Sequence, residues 1–370
     1  MSLIESIRHQ EQALAALRRS WEAGRTPHAY LFWGPPGVGK TRAALALAQR
    51  LLCQSDPAPC GECPPCRRVA RLTHPDLHLV LAGARAEEDP RRDLDAYAQE
   101  PYHCLDIPRG ASIGIERVRG LKMEASKARV ERGGRVIVIR DAERLTPEAA
   151  QAALKLIEEP QAGTFLVLTC EYPSHLLPTI LSRCQRLRFR ALPADFLAEV
   201  VRGECGLPEA EARVVAGLAQ GSLSRAIELA RAGAGALRDE ALELFERPVG
   251  DASEAVGRAQ RLGRQWDPAR ARLAVDLAMT WYGDLLAVRH GLGPEGLVHA
   301  DRLAQLRVRA QALALPQIRR RVAALEEMLE AIEQNVNPAL ALEAALLRIQ
   351  GLDEQQKQVD PRAAARSRRE

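Results

Sequence analysis

The spacing of apolar positions changes partway along the chain. Up to about residue 190, short uninterrupted apolar runs alternate with segments in which apolar residues recur at helical spacing. The runs predict strands at 29–33, 77–83, 136–139 and 164–169. Uninterrupted apolar strands separated by helices indicate a parallel sheet that is covered on both faces. We therefore predict an α/β domain in this part of the chain.

Three segments between the strands predict helices. An Ala/Leu-rich segment follows the turn at 34–41, and residues 113–130 have helical spacing. A third helix is predicted to begin after Thr146, because Thr is a favourable N-cap and Pro147 suits the first helical position. It is predicted to end just before Pro160, since proline cannot continue a helix.

The strand pattern ends near residue 190. Residues 194–233 predict a small helical unit, and residues 236–350 predict long amphipathic helices. Residues 84–110 are charged and contain three prolines, so we expect an exposed loop or insertion. Residues 353–370 have almost no large apolar side chains, so we expect a disordered tail.

Composition and charge narrow the class of protein. A chain of 370 residues is expected to form two or three domains, and 46% hydrophobic with 27% charged residues is typical of a folded chain. The net charge of +4 is small for this length, so it permits DNA contact without arguing for it. No apolar run reaches the roughly 18 residues that a membrane helix needs, and the N-terminal MSLIESIRHQ lacks a signal-peptide core. The expected location is the cytoplasm.

The segment GPPGVGKT at 34–41 fits the phosphate-loop pattern G-x-x-x-x-G-K-T, between a predicted strand and a predicted helix. The predicted nucleotide-binding residues are Gly34, Pro35, Gly37, Val38, Gly39, Lys40 and Thr41. Backbone N–H groups of such a loop surround phosphate oxygens, while Lys40 neutralises the β- and γ-phosphates and Thr41 offers its hydroxyl to Mg²⁺. We therefore predict binding of ATP or ADP. Whether Mg²⁺ is held and whether the nucleotide is hydrolysed are separate questions.

Four cysteines lie close together after the phosphate-loop helix. Cys53, Cys60, Cys63 and Cys66 have the spacing C-x6-C-x2-C-x2-C. In a reducing compartment such a cluster favours metal ligands over disulfides, and four thiolates with no open position favour structural zinc. Iron–sulfur ligation is a chemical alternative, and four thiols without metal are another.

Several short segments together resemble the clamp-loader branch of the AAA+ ATPases. They are HAYLFWGPPGVGKT, the four-cysteine segment, HPD at 74–76, IGIERVRGL, LIEEP at 156–160, TILSRC at 179–184, GSLSRAIEL at 221–229 and NVNPALALE at 335–343. The resemblance implies an AAA+ P-loop domain with a parallel sheet and a zinc module, followed by a small helical lid and an all-α collar domain. The implied boundaries are 1–191 for the AAA+ domain with its zinc module at 53–66, 192–235 for the lid, 236–352 for the collar that serves oligomerisation, and 353–370 for the tail.

Two subunit types of this family are similar to the chain, and the catalytic positions separate them. In the motor type, called gamma/tau, the strand that corresponds to 136–139 is followed by Asp-Glu: the Asp holds Mg²⁺ and the Glu polarises the attacking water. The same positions here are Arg140 and Asp141. A guanidinium repels a cation, and losing both functions should cost several powers of ten in rate. In an alternative register, Asp141 is the metal ligand and Glu143 is a nearby acid.

Three further positions are interpreted through the resemblance. Glu171 stands where the motor type keeps a small polar residue near the γ-phosphate, and a carboxylate there is repulsive. Arg183 keeps the arginine of the S-R-C motif, which reaches into the neighbouring subunit's ATP site and stabilises charge on the transferred phosphoryl group. Arg225 matches a lid arginine that approaches phosphate in the same subunit. The alternatives are a surface arginine at position 183 and a structural one at position 225.

The resemblance therefore implies a delta-prime-type subunit of the DNA polymerase III clamp loader. Such a subunit helps to load the sliding clamp onto primed DNA, supplies Arg183 to a motor neighbour and has little or no ATPase activity of its own. The implied partners are the gamma/tau and delta subunits, bound through the collar and AAA+ faces, with the sliding clamp and primer–template DNA reached through the complex and no membrane involved. The alternatives are an active gamma/tau-type motor and a zinc-dependent DNA-binding module.

Overall fold

The computed structural model describes residues 2–83, 111–131, 133–334 and 336–352. Two compact units are present: Met1–Leu197 with Gln220–Glu228, and Ala198–Ala219 with Leu229–Glu370. The expectations for residues 84–110, for the tail at 353–370 and for position 335 of the NVNPALALE segment lie outside the described residues. The predicted division into a lid at 192–235 and a collar at 236–352 stays a prediction.

A five-stranded parallel sheet forms the centre of the first unit. Its strands are β1 (Ala29–Trp33), β2 (Leu77–Val80), β3 (Arg135–Ile139), β4 (Thr164–Cys170) and β5 (Gln185–Arg188), in the spatial order β2-β3-β4-β1-β5. The central strand β4 pairs with β3 and β1 in parallel register, for example Ala29 opposite Leu166 and Val136 opposite Phe165. All five residues of β3 are buried, as expected for a strand with both faces covered. The predicted parallel sheet is confirmed.

Strand β5 was not predicted from the sequence. Its four residues, QRLR, include a single apolar side chain, and only Leu187 is buried. Among the described residues the strand lies at the edge of the sheet and pairs only with β1, and charged side chains are common on such edge strands. An apolar-run criterion cannot detect such a strand.

Helices surround the sheet in the first part of the chain. They are α1 (Glu11–Glu22), α2 (Lys40–Leu52), α3 (Pro64–Ala70), α4 (Ile115–Ser126), α5 (Pro147–Glu158) and α6 (Pro178–Leu181). Helix α5 begins as predicted: Thr146 is its N-cap and the Thr146 side chain accepts a hydrogen bond from the Ala149 N–H at 3.3 Å. Helix α4 is shorter than the predicted segment, because it starts after Gly114 and ends at Ser126.

The remaining elements are helical. They are α7 (Ala194–Cys205), α8 (Glu209–Leu218), α9 (Leu223–Arg231), α10 (Ala234–Glu246), α11 (Ala252–Gly263), α12 (Pro268–Arg289), α13 (Leu303–Ala312), α14 (Leu315–Glu333) and α15 (Pro338–Gln350). In the second unit α12 packs against α10, α13 and α14, and α15 packs against α11 and α14. The predicted change from an α/β part to a helical part is confirmed. None of the described helices is long and apolar enough to span a membrane.

Candidate functional site

The phosphate loop lies between β1 and α2, and two of its glycines, Gly34 and Gly37, stand where a side chain would not fit. Gly34, Gly37 and Gly39 have φ values of 141°, 67° and 96°. A Cβ on Gly34 would lie 2.1 Å from the carbonyl oxygen of Phe189, and a Cβ on Gly37 would lie 2.1 Å from Ser224 Oγ. The loop is therefore packed tightly between two other segments of the first unit, and only glycine permits both the backbone conformation and the close approach.

The loop lysine is buried and turned back onto its own loop. Lys40 is 7% exposed, and its Nζ donates hydrogen bonds to the carbonyl oxygens of Gly34 and Pro35, each at 2.6 Å. Burial lowers the pKa of Lys40, and the carboxylates of Asp141 and Glu143 oppose this effect. The two carbonyl oxygens therefore provide hydrogen-bond partners for the buried ammonium. Of the other predicted contacts, Val38 is buried and Thr41 is half-buried in the first turn of α2.

Arg140 and Asp141 follow β3 and pair with each other. Arg140 Nε lies 3.3 Å from Asp141 Oδ2, and both side chains are about one-quarter exposed. Asp141 adopts a left-handed conformation with φ of 53°, and its N–H donates to Thr169 Oγ1 at 3.0 Å. The Asp141 carboxylate raises the pKa of Lys40, and the adjacent Arg140 guanidinium offsets part of its charge.

A pair of glutamates lies beside this site. The Glu171 N–H donates to Glu143 Oε1 at 2.9 Å, whereas Glu143 Oε2 is buried and has no hydrogen-bond partner among the described residues. Burial raises the pKa of Glu143, because a desolvated carboxylate is costly. Glu143 was expected near the site only in the alternative register, and its contact with Glu171 was not predicted. Their separation by a helix and a strand hides this contact from any local pattern.

The predicted lid arginine lies at the start of α9, next to the phosphate loop. The Leu223 N–H donates to the Gly37 carbonyl at 3.1 Å, and the Arg225 N–H donates to Ser222 Oγ at 3.2 Å. Residues 220–228 thus belong to the same compact unit as the loop. The structure therefore places the beginning of the GSLSRAIEL segment against Gly37, and the approach of Arg225 to phosphate stays a prediction.

Arg183 lies apart from these charges, in the segment that follows α6. Its side chain is 42% exposed and its Nη2 pairs with Glu158 Oε1 at 2.8 Å. Its Nη1 donates to the Thr179 carbonyl at 3.1 Å and to Ser182 Oγ at 3.3 Å. The guanidinium is therefore held at the surface, where part of the side chain is accessible to a neighbouring molecule.

The four predicted metal ligands converge. Their Sγ atoms all lie within 4.8 Å of one another, with Cys53 at 3.6 Å from Cys60 and 3.8 Å from Cys63, and Cys60 at 4.0 Å from Cys66. A tetrahedral site with Zn–S bonds of ~2.3 Å requires sulfur–sulfur separations of about 3.8 Å. The four cysteines therefore have the geometry of a closed metal site.

Local structure also prepares the cluster for metal. Backbone N–H groups of Cys63 and Glu62 point at Cys60 Sγ and lower the pKa of that thiol to about 6, which favours the thiolate that binds metal. Burial raises the pKa of Cys66, whose thiol lies in α3, so a bound cation would have to displace that proton. Cys53 is the C-cap of α2, which begins at Lys40. One helix thus joins the metal cluster to the phosphate loop.

Comparison with known proteins decides the family. A family described as "DNA polymerase III, delta subunit" matches residues 9–193. The chain is 29% identical to the DNA polymerase III subunit delta' of Bacillus subtilis over 92% of this chain and 96% of that protein. It is 30% identical to the subunit delta' of Pseudomonas aeruginosa over 86% of this chain and 90% of that protein. The chain belongs to the delta-prime family of DNA polymerase III clamp-loader subunits. The resemblance inferred from the sequence is confirmed.

The motor type is also similar, but over less of its length. The subunit gamma/tau of Mycobacterium tuberculosis is 31% identical over 53% of this chain and 30% of that protein. The Bacillus subtilis and Pseudomonas aeruginosa delta-prime proteins match over most of both chains, so their similarity extends into the helical part as well.

The HPD motif at 74–76 forms buried hydrogen bonds that hold the start of β3. Asp76 is fully buried and its carboxylate accepts hydrogen bonds from the N–H groups of Val130 and Glu131, and from Arg135 Nη2 at 3.2 Å. The His74 Nδ1 accepts from the Asp76 N–H at 3.1 Å. The motif therefore anchors the start of β3 and supports the strand that leads to Arg140 and Asp141.

Proposed function

We propose that this chain is the non-motor subunit of a clamp loader, in which it assists the loading of a sliding clamp onto primed DNA. Arg183 acts on the ATP of a neighbouring gamma/tau subunit. The chain's own phosphate loop holds ATP or ADP and hydrolyses it poorly. What supports the proposal is the contrast between Arg183, held at the surface, and Arg140, which pairs with Asp141 and stands where the resemblance expects the metal ligand.

The position of Arg183 supports a role in a neighbouring site. Its contacts with Glu158, Thr179 and Ser182 keep the guanidinium at the surface of the subunit. An exposed ion pair contributes only ~0–1 kcal/mol, so an incoming phosphate can compete with Glu158 for the guanidinium. An arginine that reaches the transferring phosphoryl group in trans is worth roughly 10³–10⁵ in rate.

The chain's own site supports nucleotide binding more than hydrolysis. The glycine conformations and the buried Lys40 are those of a phosphate-binding loop. Hydrolysis needs a metal ligand and a group that positions water, and the Arg140 guanidinium beside Asp141 disfavours a divalent cation there. The negative charge of Glu171 also acts on Lys40 and raises its pKa, and a further carboxylate near the loop lysine is unfavourable for a γ-phosphate. Mg²⁺ is therefore expected to be held weakly.

The cysteine cluster is proposed to hold structural Zn²⁺. Four sulfur ligands leave no open coordination position, so the ion would stabilise the segment between α2 and α3 rather than take part in catalysis. The remaining partners follow from the family. We propose contact with the gamma/tau and delta subunits through the helical residues 236–352 and through the AAA+ faces, with the sliding clamp and primer–template DNA engaged by the whole complex.

Reconstitution with gamma/tau and delta tests the assignment. Arg183→Ala is expected to lower the DNA- and clamp-stimulated ATPase activity of the complex, because the neighbouring site loses transition-state charge stabilisation. Lys40→Ala is expected to change it little. Arg186→Ala, which removes an exposed arginine of the adjacent strand β5, is the matched control and is expected to be neutral. An inactive Lys40→Ala complex, or full activity with Arg183→Ala, contradicts the proposal.

One observation favours a second candidate, a weakly active motor. The carboxylates of Asp141 and Glu143 both raise the pKa of Lys40, so two acids act on the loop lysine, although they stand one and two residues later than the Asp-Glu pair of the gamma/tau type. This candidate expects measurable ATP turnover by the purified chain alone, abolished by both Lys40→Ala and Asp141→Asn. Arg140→Asp combined with Asp141→Glu restores the motor's acid pair, and a gain of turnover only in that variant favours the non-motor assignment.

A further inference from the structure

Gln10 is a buried polar residue that links two distant segments of the chain. It stands immediately before α1 and its side chain is 3% exposed. Its amide forms a two-way contact with the backbone of Arg190: Nε2 donates to the Arg190 carbonyl at 2.8 Å, and Oε1 accepts from the Arg190 N–H at 2.9 Å. The second hydrogen on Nε2 is directed to the Val38 carbonyl in the phosphate loop, at 3.3 Å.

The contact with Val38 constrains the part of the loop that would bind phosphate. A trans peptide is planar and its N–H points opposite to its C=O. Because Gln10 holds the Val38 carbonyl on one side, the Gly39 N–H is turned to the other side. Gly39 has φ of 96°, a conformation in which the peptide before it could otherwise rotate easily. Loop N–H groups are the anion ligands of such sites, so the orientation of this peptide bears directly on phosphate affinity.

The backbone at Arg190 is held in place by the sheet. The preceding residue, Phe189, donates its N–H to the Trp33 carbonyl at 2.8 Å, which continues the pairing of β5 with β1. The Phe189 carbonyl also lies close to Gly34, at the other end of the phosphate loop. Residues 189 and 190 therefore run along the loop as an extension of the sheet, and Gln10 connects that extension to Val38.

We propose that Gln10 is a positioning residue of the nucleotide site, which sets the Val38–Gly39 peptide for phosphate binding without touching the nucleotide itself. The inference rests on the proposed nucleotide-binding function of the phosphate loop. Hydrogen bonds from Gln10 act on the loop before any ligand arrives, so they reduce the ordering that binding would otherwise require.

The chain contains a matched control. Gln49 is 1% exposed, donates from Nε2 to the Cys66 carbonyl at 3.0 Å and accepts from the Leu3 N–H at 2.9 Å. It lies near the opposite end of α2 from the phosphate loop. Replacing either glutamine by methionine removes a buried amide while keeping an unbranched side chain of similar size. Both changes leave backbone groups unpaired, but only one of them does so at the loop.

The experiment measures the binding of ATP and of inorganic triphosphate to the full chain by titration calorimetry, with thermal melting in parallel. Gln10→Met is expected to weaken both ligands about tenfold, which is about 1.4 kcal/mol. Gln49→Met is expected to stay within about twofold of the wild type at a comparable loss of melting temperature. Gln10→Glu keeps the acceptor for Arg190 but turns an oxygen towards two carbonyls, and we expect it to weaken binding in the same direction.

The possible results distinguish the role of Gln10 from the existence of the nucleotide site. Wild-type binding with unchanged affinity in Gln10→Met and Gln10→Glu overturns the role of Gln10 and leaves the nucleotide site standing. Equal loss of affinity in Gln10→Met and Gln49→Met shows that the first unit is destabilised in general, and this result also overturns the role of Gln10. A wild-type chain that binds neither ATP nor triphosphate overturns the nucleotide site, and the role of Gln10 with it.

Discussion

Acid is expected to destabilise the helical unit through one buried histidine. His299 is fully buried, its Nε2 lies 3.0 Å from Thr280 Oγ1, and its Nδ1 has no hydrogen-bond partner among the described residues. Burial, together with the positive charge of Arg238, lowers the pKa of His299 from 6.5 to about 4. The His299 N–H donates to the Asp284 carboxylate at 2.7 Å, so its backbone is fixed in this environment.

The lowered pKa of His299 sets how much stability the helical unit loses in acid. His299 is neutral in the folded unit and protonated in the unfolded chain over the interval between the two pKa values. The stability that it contributes is present above about pH 6.5 and is lost as the pH falls through about 4. A shift of this size changes the free energy of unfolding by about 3 kcal/mol once the pH is below both pKa values. About 2 kcal/mol of this stability is lost between about pH 7 and about pH 5. Burial raises the pKa of Asp284, whose protonation opposes the loss at lower pH.

The assay compares the wild type with His299→Gln, which does not titrate but can still bond to Thr280. Urea unfolding followed by far-UV circular dichroism is expected to show a smaller loss of stability between about pH 7 and about pH 5 in the variant, by about 2 kcal/mol. NMR titration of the wild-type imidazole is expected to show no protonation of His299 above about pH 5. An imidazole that titrates near its ordinary value, or an equal pH dependence in both proteins, refutes the reasoning.

Three further predictions concern the first unit. Glu143→Gln should raise the melting temperature at neutral pH, because burial raises the pKa of this carboxyl. The gain should grow as the pH rises from 4.5, its ordinary value, and a variant that melts lower at neutral pH contradicts it. Cys66→Ser should reduce the zinc content, measured by atomic absorption, well below the about one ion per chain expected of the wild type; equal content in both excludes a four-cysteine site. Asp76→Ala should lower the free energy of unfolding, measured in urea, by ~3–5 kcal/mol, because it leaves Arg135 buried without a carboxylate. Glu116→Ala, which removes an exposed ion pair, should lower it by at most ~1 kcal/mol. Similar losses in the two variants would argue against a buried ion pair.

Much of the fold was predictable because its signals are local. Strands buried on both faces are uninterrupted apolar runs, and β1, β3 and β4 were found in this way. Strand β5 was missed because an edge strand needs only one buried side chain, here Leu187. The start of α5 was predicted because its cap, Thr146, and its first residue, Pro147, are adjacent in the chain.

The same distinction holds for the candidate site. Phosphate-loop residues are consecutive, and the four cysteines fall within fourteen positions, so the sequence by itself predicted both candidate sites and determined the family. Only the tertiary structure decided that Asp141 and Glu143 both act on Lys40, and that Gln10 joins Arg190 to Val38. Hydrogen bonds between residues as far apart as 10 and 190 depend on how the chain closes around its sheet. No short-range sequence pattern predicts these hydrogen bonds. The spacing of residues along the chain does not indicate which distant backbone group a buried side chain will contact.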